Sequence, residues 1–545
     1  MSVARGLLAY AALLAVVCVA VYRRARLEPV DPARAVRIAS VWRGGIVVER
    51  AVLSPGQVPA SPQGPAMGAL EVLEGEAPLP KHPLLFAIGL VPGKDGVRAR
   101  LRGEEAWVTV DDLLSAQAYD HAFVEGSIGL GVGVDRRVVL SLFADRLGTT
   151  TKDVLEHAEL SRVRLRREVS EERRARPRLD GASLTVDMVR AQVHEIALRL
   201  AEGVSEAGHY RYLVDATTDA VVPDYNWPRH SGATFFLAQA ARVTHDPRIA
   251  GACLRAASLL RAQLLVDCGA ERCIADGALA DLGSSALALI ALTEIDRSGL
   301  DGGYRPAIGA LSSFLRAQQR PDGEFMHYYD RASKRPVDKQ VLYYSGEATL
   351  ALSLSHRVTG DPEALESARR GLARLGASWS FFGSRYYFGE EHWTCQAMAD
   401  LSDRARDAGA LDFCVRWHRH QRRLQYGPGE TPFDAEGAFG VGPVLVPRVT
   451  PASSRGEAAG ALLLALRKLS PRDPEIPLVD QELRSAIAFV LRQRLGPEHA
   501  HLLASPGSTL GRVPGSAVDW RLRIDYEQHA GSAMIRWLEL QGAPF

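Results

Sequence analysis

The segment Asp224–Gln239, DYNWPRHSGATFFLAQ, joins a polar, aromatic loop directly to an apolar helix that is rich in small residues. The same kind of junction recurs five times downstream, beginning near Leu282 (LGSSALALIAL), Tyr344 (YSGEATLALSL), Glu391 (EHWTCQAMADL), Ser454 (SRGEAAGALLLAL) and Asp525 (DYEQHAGSAMIRWL). Repetition at intervals of roughly 45–75 residues is typical of a fold built from one repeated supersecondary unit. The six junctions therefore predict six equivalent helical units.

Amphipathic segments alternate with these apolar helices. They lie at Val189–Leu200, Pro247–Leu265, Tyr304–Gln319, Pro362–Ala377, Ala410–Leu424 and Asp480–Leu495. An outer helix buries one face only, whereas an inner helix is apolar on nearly all sides. Crowding at the axis of a ring also favours Ala, Gly and Ser. Twelve alternating helices with variable loops predict a mainly α fold, an (α/α)6 toroid of six helical hairpins, rather than an open solenoid.

Three of these units carry a resemblance to a known group of proteins. Residues 229–239 (RHSGATFFLAQ), 343–362 (YYSGEATLALSLSHRVTGDP) and 523–540 (RIDYEQHAGSAMIRWLEL) resemble units of the six-hairpin glycosidase-like superfamily. That superfamily includes glycoside hydrolases, polysaccharide lyases and sugar epimerases. The resemblance covers 184–545 and implies a carbohydrate-active enzyme with an oligo- or polysaccharide substrate. No catalytic motif of a single family aligns, so no family's catalytic residues are carried over.

The N-terminus predicts a membrane anchor over 1–26. Gly6–Tyr22 is an uncharged apolar run flanked by arginines, slightly shorter than the roughly 20 residues that span a bilayer comfortably. We interpret it as an uncleaved single-pass helix, with a cleaved signal peptide as the alternative. The arginines after the run favour a cytoplasmic location for the rest of the chain. A glycan substrate favours an extracytoplasmic location, which is the one we predict.

Between the anchor and the toroid, the sequence predicts a small mixed α/β domain over 36–168. Val36–Trp42, Gly45–Leu53 and Leu84–Val91 have the composition of strands, and Asp111–Ala118 and Thr151–Ala158 that of helices. A charged linker over 169–183 follows, and the toroid domain occupies 184–545.

Charge and cysteine content argue against several kinds of protein and site. Lys+Arg 65 against Asp+Glu 64 gives a formal charge of +1, so we expect no nucleic-acid partner. The 6 cysteines are too few for a disulfide scaffold. Cys268 and Cys273 are close enough to bridge a loop, but we favour reduced, buried thiols. A zinc site from these cysteines and histidines is disfavoured, because no adjacent Cys–His pair occurs. We therefore predict no metal and no cofactor.

In a helical ring, the loops that enter the inner helices gather at one mouth, so their polar residues converge. Carboxylates and imidazoles there suit acid/base chemistry, and aromatic rings stack on sugar faces. We predict catalytic roles for Asp224, Glu347, Glu391, His392, Asp525 and His529. We predict substrate contacts for Tyr225, Trp227, Arg229, His230, Tyr343, Tyr344, Trp393, Arg455 and Tyr526. Asp224 and Asp525, each followed by a tyrosine, are the favoured pair.

Structural alternatives stand beside these roles. Glu347 and Glu457 at helix starts also complement the positive end of a helix dipole. A single histidine at a helix start is commonly a structural hydrogen-bonding residue, and Trp227 and Trp393 also suit a core. A terpene-cyclase-like toroid is disfavoured because no aspartate-rich run occurs. A non-catalytic glycan-binding or envelope-assembly factor is the alternative function. A carboxylate pair across the mouth would favour hydrolysis, whereas a Tyr/His/Arg cluster would favour lyase or epimerase chemistry.

Overall fold

The computed structural model describes residues 8, 10–16, 18, 19, 22, 26–54, 57, 59, 66–119, 133–168, 178–382, 392–440, 442 and 445–542. Its first part is an antiparallel sheet of seven strands, β1 (Glu28–Pro29), β2 (Arg37–Arg43), β3 (Ile46–Leu53), β4 (Met67–Pro78), β5 (Asp95–Leu101), β6 (Glu104–Val108) and β7 (Glu159–Glu168). The strand order is β3-β2-β4-β7-β5-β6, and β1 pairs with β4. Four helices accompany the sheet: α1 (Pro83–Gly89), α2 (Val110–Ser115), α3 (Arg136–Arg146) and α4 (Thr151–His157).

One predicted strand in this part is wrong. The sequence indicated strands near β2 and β3, which the structure has in register from Arg37↔Leu53 to Arg43↔Ile46. It also indicated a strand at Leu84–Val91, where the structure has helix α1. Pro83 suits the first helical turn, and Phe86 and Ile88 are buried. A short apolar run buried on all sides has no periodicity that separates helix from strand.

Among the described residues of the second part, twelve long helices follow, alternating between an outer and an inner layer. The outer helices are α5 (Val186–Glu202), α7 (Pro247–Leu259), α9 (Arg305–Ala317), α11 (Pro362–Phe382), α13 (Ala408–Gln421) and α15 (Glu475–Gln493). The inner helices are α6 (Trp227–Thr244), α8 (Leu282–Arg297), α10 (Tyr344–Thr359), α12 (His392–Leu401), α14 (Val449–Leu469) and α16 (Ile524–Leu540). A helical turn at Pro506–Thr509 and short strands join them: β8 (Leu213–Asp215), β9 (Leu265–Cys268), β10 (Glu271–Ile274), β11 (Leu279–Asp281), β12 (Tyr328–Asp330), β13 (Arg335–Val337) and β14 (Arg521–Arg523).

The inner helices form a closed ring. Each packs against the next, from α6 through α8, α10, α12 and α14 to α16, and α16 packs against α6. The predicted toroid is therefore confirmed in its mainly helical, ring-shaped architecture. Four of the six predicted junctions begin within one residue of the start of an inner helix. The junction at Asp224 begins three residues before α6, and the junction near Ser454 falls five residues inside α14.

Close approach between inner helices explains their small residues. A Cβ on Gly283 of α8 would lie 2.3 Å from the ring of Tyr344 on α10, and one on Gly531 of α16 would lie 2.0 Å from the ring of Phe236 on α6. Neither distance is possible for real atoms, so a larger residue would force these helices apart. Crowding thus selects Gly where an aromatic side chain of the neighbouring helix crosses.

The sheet shares a core with the toroid. Leu495, Leu502 and Trp520 from the toroid pack in one apolar cluster with Phe86 and Val97 of the sheet region. Two fully buried side chains also pair across this contact, with Asp111 Oδ2 2.7 Å from His501 Nε2. The sheet therefore packs firmly against one end of the ring. Residues 169–177 of the predicted linker lie outside the described residues, and the domain boundaries stay a prediction.

The expectation of reduced thiols is wrong for four cysteines. Disulfides join Cys268 to Cys273 and Cys395 to Cys414, whereas Cys18 and Cys253 are free. The ring brings Cys395 of α12 beside Cys414 of α13, a pairing that sequence spacing does not reveal.

The predicted anchor over 1–26 is described only in pieces, since residues 1–7, 9, 17, 20, 21 and 23–25 lie outside the described set. Within the described part of the chain, none of the helices combines the length and the apolar character that crossing a bilayer requires. Membrane attachment stays a prediction of the sequence.

Candidate active site

A cavity of about 940 Å3 opens at one end of the ring. All six inner helices or the loops that enter them contribute to its lining, with Arg229, Leu287, Glu347, His392, Arg455 and His529 as one residue from each. The loop before α14 adds Phe439 and Pro447, and the sheet region adds Pro92 and Tyr119. The predicted convergence of polar residues is therefore present for five junctions, whereas the second contributes only apolar Leu287.

Two imidazoles and a carboxylate meet in the wall of this cavity. Glu457 Oε2 lies 2.8 Å from His529 Nδ1 and 3.7 Å from His392 Nε2. The two imidazole rings stand edge to face with their centroids 5.3 Å apart. Nε2 of His529 has no hydrogen-bond partner among the described residues, and the ring lines the cavity. Glu457 thus fixes one ring nitrogen and leaves the other facing the cavity.

This contact sets the protonation of His529. Burial alone would lower the pKa of His529, but the adjacent Glu457 carboxylate outweighs burial and raises the pKa above its ordinary value of 6.5. Burial also raises the pKa of the Glu457 carboxyl, although His529 opposes that shift. Both pKa shifts favour retention of a proton by the pair.

Glu347 is a buried carboxyl group in the lining of the same cavity. Its Oε2 has no hydrogen-bond partner among the described atoms. Burial, reinforced by the charge of Asp281, raises the pKa of Glu347 well above its ordinary value of 4.5. A raised pKa favours the protonated carboxyl group, which donates a hydrogen bond as a carboxylate does not.

Asp525 is held by arginines. Arg523 donates from Nε to Oδ1 at 2.5 Å and from Nη2 to Oδ2 at 2.8 Å. Nε of Arg229 lies 3.5 Å from Oδ2. Strand β14 positions Arg523 directly before α16 by pairing with β8, in the register Arg523↔Leu213. Both carboxylate oxygens are therefore engaged before any substrate binds.

Aromatic side chains form part of the lining. Tyr343, Tyr344 and Trp393 all contribute. The Trp393 ring lies against His392 with a centroid distance of 4.4 Å, and burial raises the pKa of Tyr344 far above its ordinary value of 10.0. The raised pKa keeps Tyr344 a neutral hydrogen-bonding group. The aromatic rings offer apolar faces to a ligand.

Five predicted site residues lie outside the lining. Asp224 is exposed. Tyr225 bonds His230 Nδ1 at 2.8 Å, and fully buried His230 has its pKa lowered to about 4 by burial. Trp227 donates to Asp276, and buried Tyr526 accepts from Arg448 at 2.9 Å. These three contacts hold the loop before α6 and the start of α16 in place.

The remaining predicted residue, Glu391, lies outside the described residues.

Sequence reasoning left several neighbours of the site unassigned. Glu457 belongs to one of the six junctions, but it was not among the predicted site residues. Arg448, Asp519, Arg521 and Arg523 also line the cavity. The alternation of arginine and acidic residues in DWRLRIDY, 519–526, was the available signal.

The histidine cluster also has the donor types of a metal site. His392, Glu457 and His529 place one ligand atom each within 4.8 Å of one another. Two imidazoles and a carboxylate suit Zn2+. In this arrangement Glu457 and His529 already satisfy each other through a hydrogen bond. The absence of a metal stays a prediction.

Comparison with known proteins gives a structural match only. No protein-family model matches the chain, and no curated protein matches it in sequence. A D-mannose isomerase structure superposes with a TM-score of 0.51 at 12% identity, covering 65% of this chain and 98% of that one. Cellobiose 2-epimerase from Bacillus thermoamylovorans B4167 gives 0.50 at 11% identity, covering 65% and 100%. The chain therefore has the fold of the six-hairpin glycosidase-like superfamily, as its sequence predicted.

Proposed function

We propose that this chain is a carbohydrate-active enzyme that transfers a proton at the carbon next to a sugar carbonyl, as an epimerase or an isomerase does. The observation that carries the proposal is the cluster of His529, Glu457 and His392 in the cavity wall. Nδ1 of His529 is bound by the Glu457 carboxylate, and the centroid of the His392 ring lies 5.3 Å from that of the His529 ring. Two imidazoles at one position can take a proton and return it.

The proposed step balances without a cofactor. His392 takes the proton from C2 of the open-chain sugar, and the electrons of the broken C–H bond form a C1–C2 double bond. The carbonyl oxygen gains the negative charge of an enediolate. His529, whose pKa the Glu457 carboxylate raises, returns a proton to C2 to give the epimer. Alternatively His529 protonates C1 while the proton of the C2 hydroxyl group moves to the C1 oxygen, which gives the isomeric ketose. In the reverse reaction, His529 takes the proton from the sugar and His392 returns it.

Neutral Glu347 suits the oxygen that gains charge in this step. Its carboxyl group is buried and keeps one oxygen without a described partner. A preorganised donor aimed at a developing oxyanion lowers the barrier because it needs no reorganisation during the reaction. The arginines of the lining add positive charge to the same cavity.

The carboxyl groups of the lining are poorly placed for glycoside hydrolysis. Hydrolysis needs one protonated acid and one free carboxylate that acts as nucleophile or base. Among the described lining residues the carboxyl groups are Glu347, Asp519 and Asp525. Arginines engage both oxygens of Asp519 and of Asp525. Glu347 therefore has no free carboxylate partner in this part of the cavity.

The disulfides support an extracytoplasmic location for the enzyme. Disulfides persist in oxidising compartments and are rare in the cytosol of most organisms. Together with the predicted anchor over 1–26, this observation favours a body outside the cytoplasm, acting on sugars released from oligo- or polysaccharides.

The test is proton exchange in deuterated water. The purified chain is incubated with neutral and acidic mono- and disaccharides that have a free reducing end, and NMR follows deuterium at C2 and new epimers or ketoses. We expect His529→Gln and His392→Gln to lower the rate by about 100- to 10,000-fold. The control is His194→Gln, since His194 forms a 2.9 Å pair with Asp246 on the outer layer.

Two results would refute the proposal. One is release of a shorter sugar without deuterium incorporation, which would identify a hydrolase. The other is an ultraviolet-absorbing unsaturated product, which would identify a lyase. Absence of turnover on every sugar, with binding retained, would favour the glycan-binding alternative.

A further inference from the structure

The cavity has more arginines than acidic residues able to pair with them. Arg229, Arg448, Arg521 and Arg523 line it together with Asp519 and Asp525. The remaining carboxyl group among the described lining residues is Glu347, whose pKa burial raises so that its protonated form is favoured. A concave, partly desolvated surface with one dominant sign of charge attracts ligands of the opposite sign.

Asp519 is shared by two of these arginines. Arg448 Nη2 donates to Oδ2 at 2.8 Å, and Arg521 donates to Oδ1 at 2.8 Å and to Oδ2 at 3.1 Å. The Arg448 side chain is 50% exposed, and its Nη1 has no hydrogen-bond partner among the described residues. One carboxylate therefore orients two guanidinium groups and leaves part of Arg448 facing the cavity.

Asp525 repeats this arrangement beside the histidine cluster. Arg523 binds both of its oxygens, and Arg229 approaches Oδ2 while donating from Nη1 to Tyr212 at 2.7 Å. Within the described part of the chain, Nη1 of Arg523 and Nη2 of Arg229 have no hydrogen-bond partner. Two guanidinium groups on one carboxylate leave one formal positive charge without a described counter-charge.

We infer that the substrate of this site is an anionic sugar, carrying a carboxylate, phosphate or sulfate that the open nitrogens of Arg229, Arg448 and Arg523 bind. The inference rests on the proposed function for the reaction at the sugar carbonyl and adds the chemical class of the substrate. Planar guanidinium groups match the paired oxygens of these anions and bind them more strongly than neutral hydroxyl groups. Asp519 and Asp525 act as positioning residues that hold the arginines in place.

Binding calorimetry with matched sugars tests this inference independently of turnover. The probes are D-glucuronate, D-glucose 6-phosphate and D-glucose 6-sulfate, which share a ring and differ at C6, with D-glucose as the neutral match. We expect each preferred anionic sugar to bind about ten-fold or more tightly than D-glucose. Its affinity falls as sodium chloride is raised, because salt screens the attraction. The order among the three probes identifies the anionic group.

Two arginine variants locate the binding. Arg229→Gln leaves Asp525 paired with Arg523, and Arg448→Gln leaves Asp519 paired with Arg521, so neither strands a buried charge. Each variant should bind the anionic sugars about ten-fold more weakly and leave the affinity for D-glucose unchanged. Arg229→Lys should recover part of the loss. Arg419→Gln is the matched control, because Arg419 and Arg422 share Glu475 in the same way on the outer layer.

Three outcomes would overturn the inference: equal affinity for D-glucose and the anionic sugars, an equal effect of Arg229→Gln and Arg419→Gln, or inorganic phosphate binding as tightly as D-glucose 6-phosphate. Tight, arginine-dependent binding of an anionic sugar without deuterium exchange would refute the proposed reaction and support the substrate class. Deuterium exchange confined to neutral sugars would support the proposed reaction and refute the anionic substrate class.

Discussion

Glu457 and His529, 72 residues apart in the chain, form a 2.8 Å hydrogen bond between Oε2 and Nδ1 in the cavity wall. Glu457 lies on α14 and His529 on α16, two inner helices that pack side by side. The contact orients the imidazole and raises its pKa. Four consequences of this and neighbouring contacts can be measured.

Replacement of Glu457 by Gln should change the pH dependence of the reaction. Without the carboxylate, burial dominates and the pKa of His529 falls from above 6.5 to below it. His529 must be protonated to give its proton, so activity is lost as pH rises through this pKa. The alkaline limb of the kcat/KM profile should therefore move to lower pH.

A buried pair of the same kind gives the control for this change. His418 Nδ1 lies 2.9 Å from Glu482 Oε1, and both are buried between outer helices away from the cavity. Glu482→Gln should lower stability without moving the pH profile. An unchanged profile in Glu457→Gln would remove the assigned role of His529.

Glu347→Gln should stabilise the protein at neutral and alkaline pH. The pKa of Glu347 is raised in the folded state, so between pH 4.5 and that pKa the folded chain binds one proton more than the unfolded chain. The free energy of unfolding then falls as pH rises, by about 1.4 kcal/mol per pH unit. Urea unfolding at several pH values should show the advantage of the variant growing above pH 4.5 and vanishing below it. An advantage that is constant with pH would contradict the buried, neutral state.

Loss of the Cys395–Cys414 disulfide should destabilise the chain more than loss of Cys268–Cys273. The bonds close loops with sequence separations of 19 and 5. Loop-closure entropy predicts about 3 kcal/mol for the longer loop and about 2 kcal/mol for the shorter one. Urea titration of the two double Cys→Ser variants measures the difference, with Cys253→Ser as the control for a buried thiol. The reverse order would show that the ring already holds α12 and α13 together.

Dialysis against EDTA should leave proton exchange unchanged. Glu457 Oε2 is already bound by His529 Nδ1, and the proposed step needs no Lewis acid. Metal analysis of the purified protein accompanies the assay. Activity lost on chelation and restored by Zn2+ would instead assign His392, Glu457 and His529 as metal ligands.

Much of the fold was accessible from the sequence because it depends on local periodicity. The apolar, small-residue helices had to be surrounded, and the amphipathic ones had to face water on one side. This reasoning located Tyr344, His392 and Asp525 at the mouth of the ring. It failed for Leu84–Val91, where a short apolar run suits helix and strand equally, and for the cysteines, whose pairing depends on which helices are neighbours.

The sequence likewise predicted the place of some candidate site residues correctly and that of others wrongly. Position at a junction predicted the lining roles of Glu347, His392 and His529. It also made Asp224 one of the favoured pair, and Asp224 is exposed and lies outside the lining. Position could not separate His230, whose ring is buried in hydrogen bonds to Tyr225 and Ala256, from His529, whose Nε2 faces the cavity. Both begin inner helices, and only the neighbours differ.

The sequence by itself determined the number of hairpins, their alternation and the end of the ring at which polar residues gather, because these follow from the periodicity of apolar residues along single helices. Only the tertiary structure decided that Glu457 reaches His529, that Arg523 occupies both oxygens of Asp525 and that Glu347 is buried without a described partner. Protonation and charge depend on distances of a few ångströms between distant segments, and closure of the ring sets those distances.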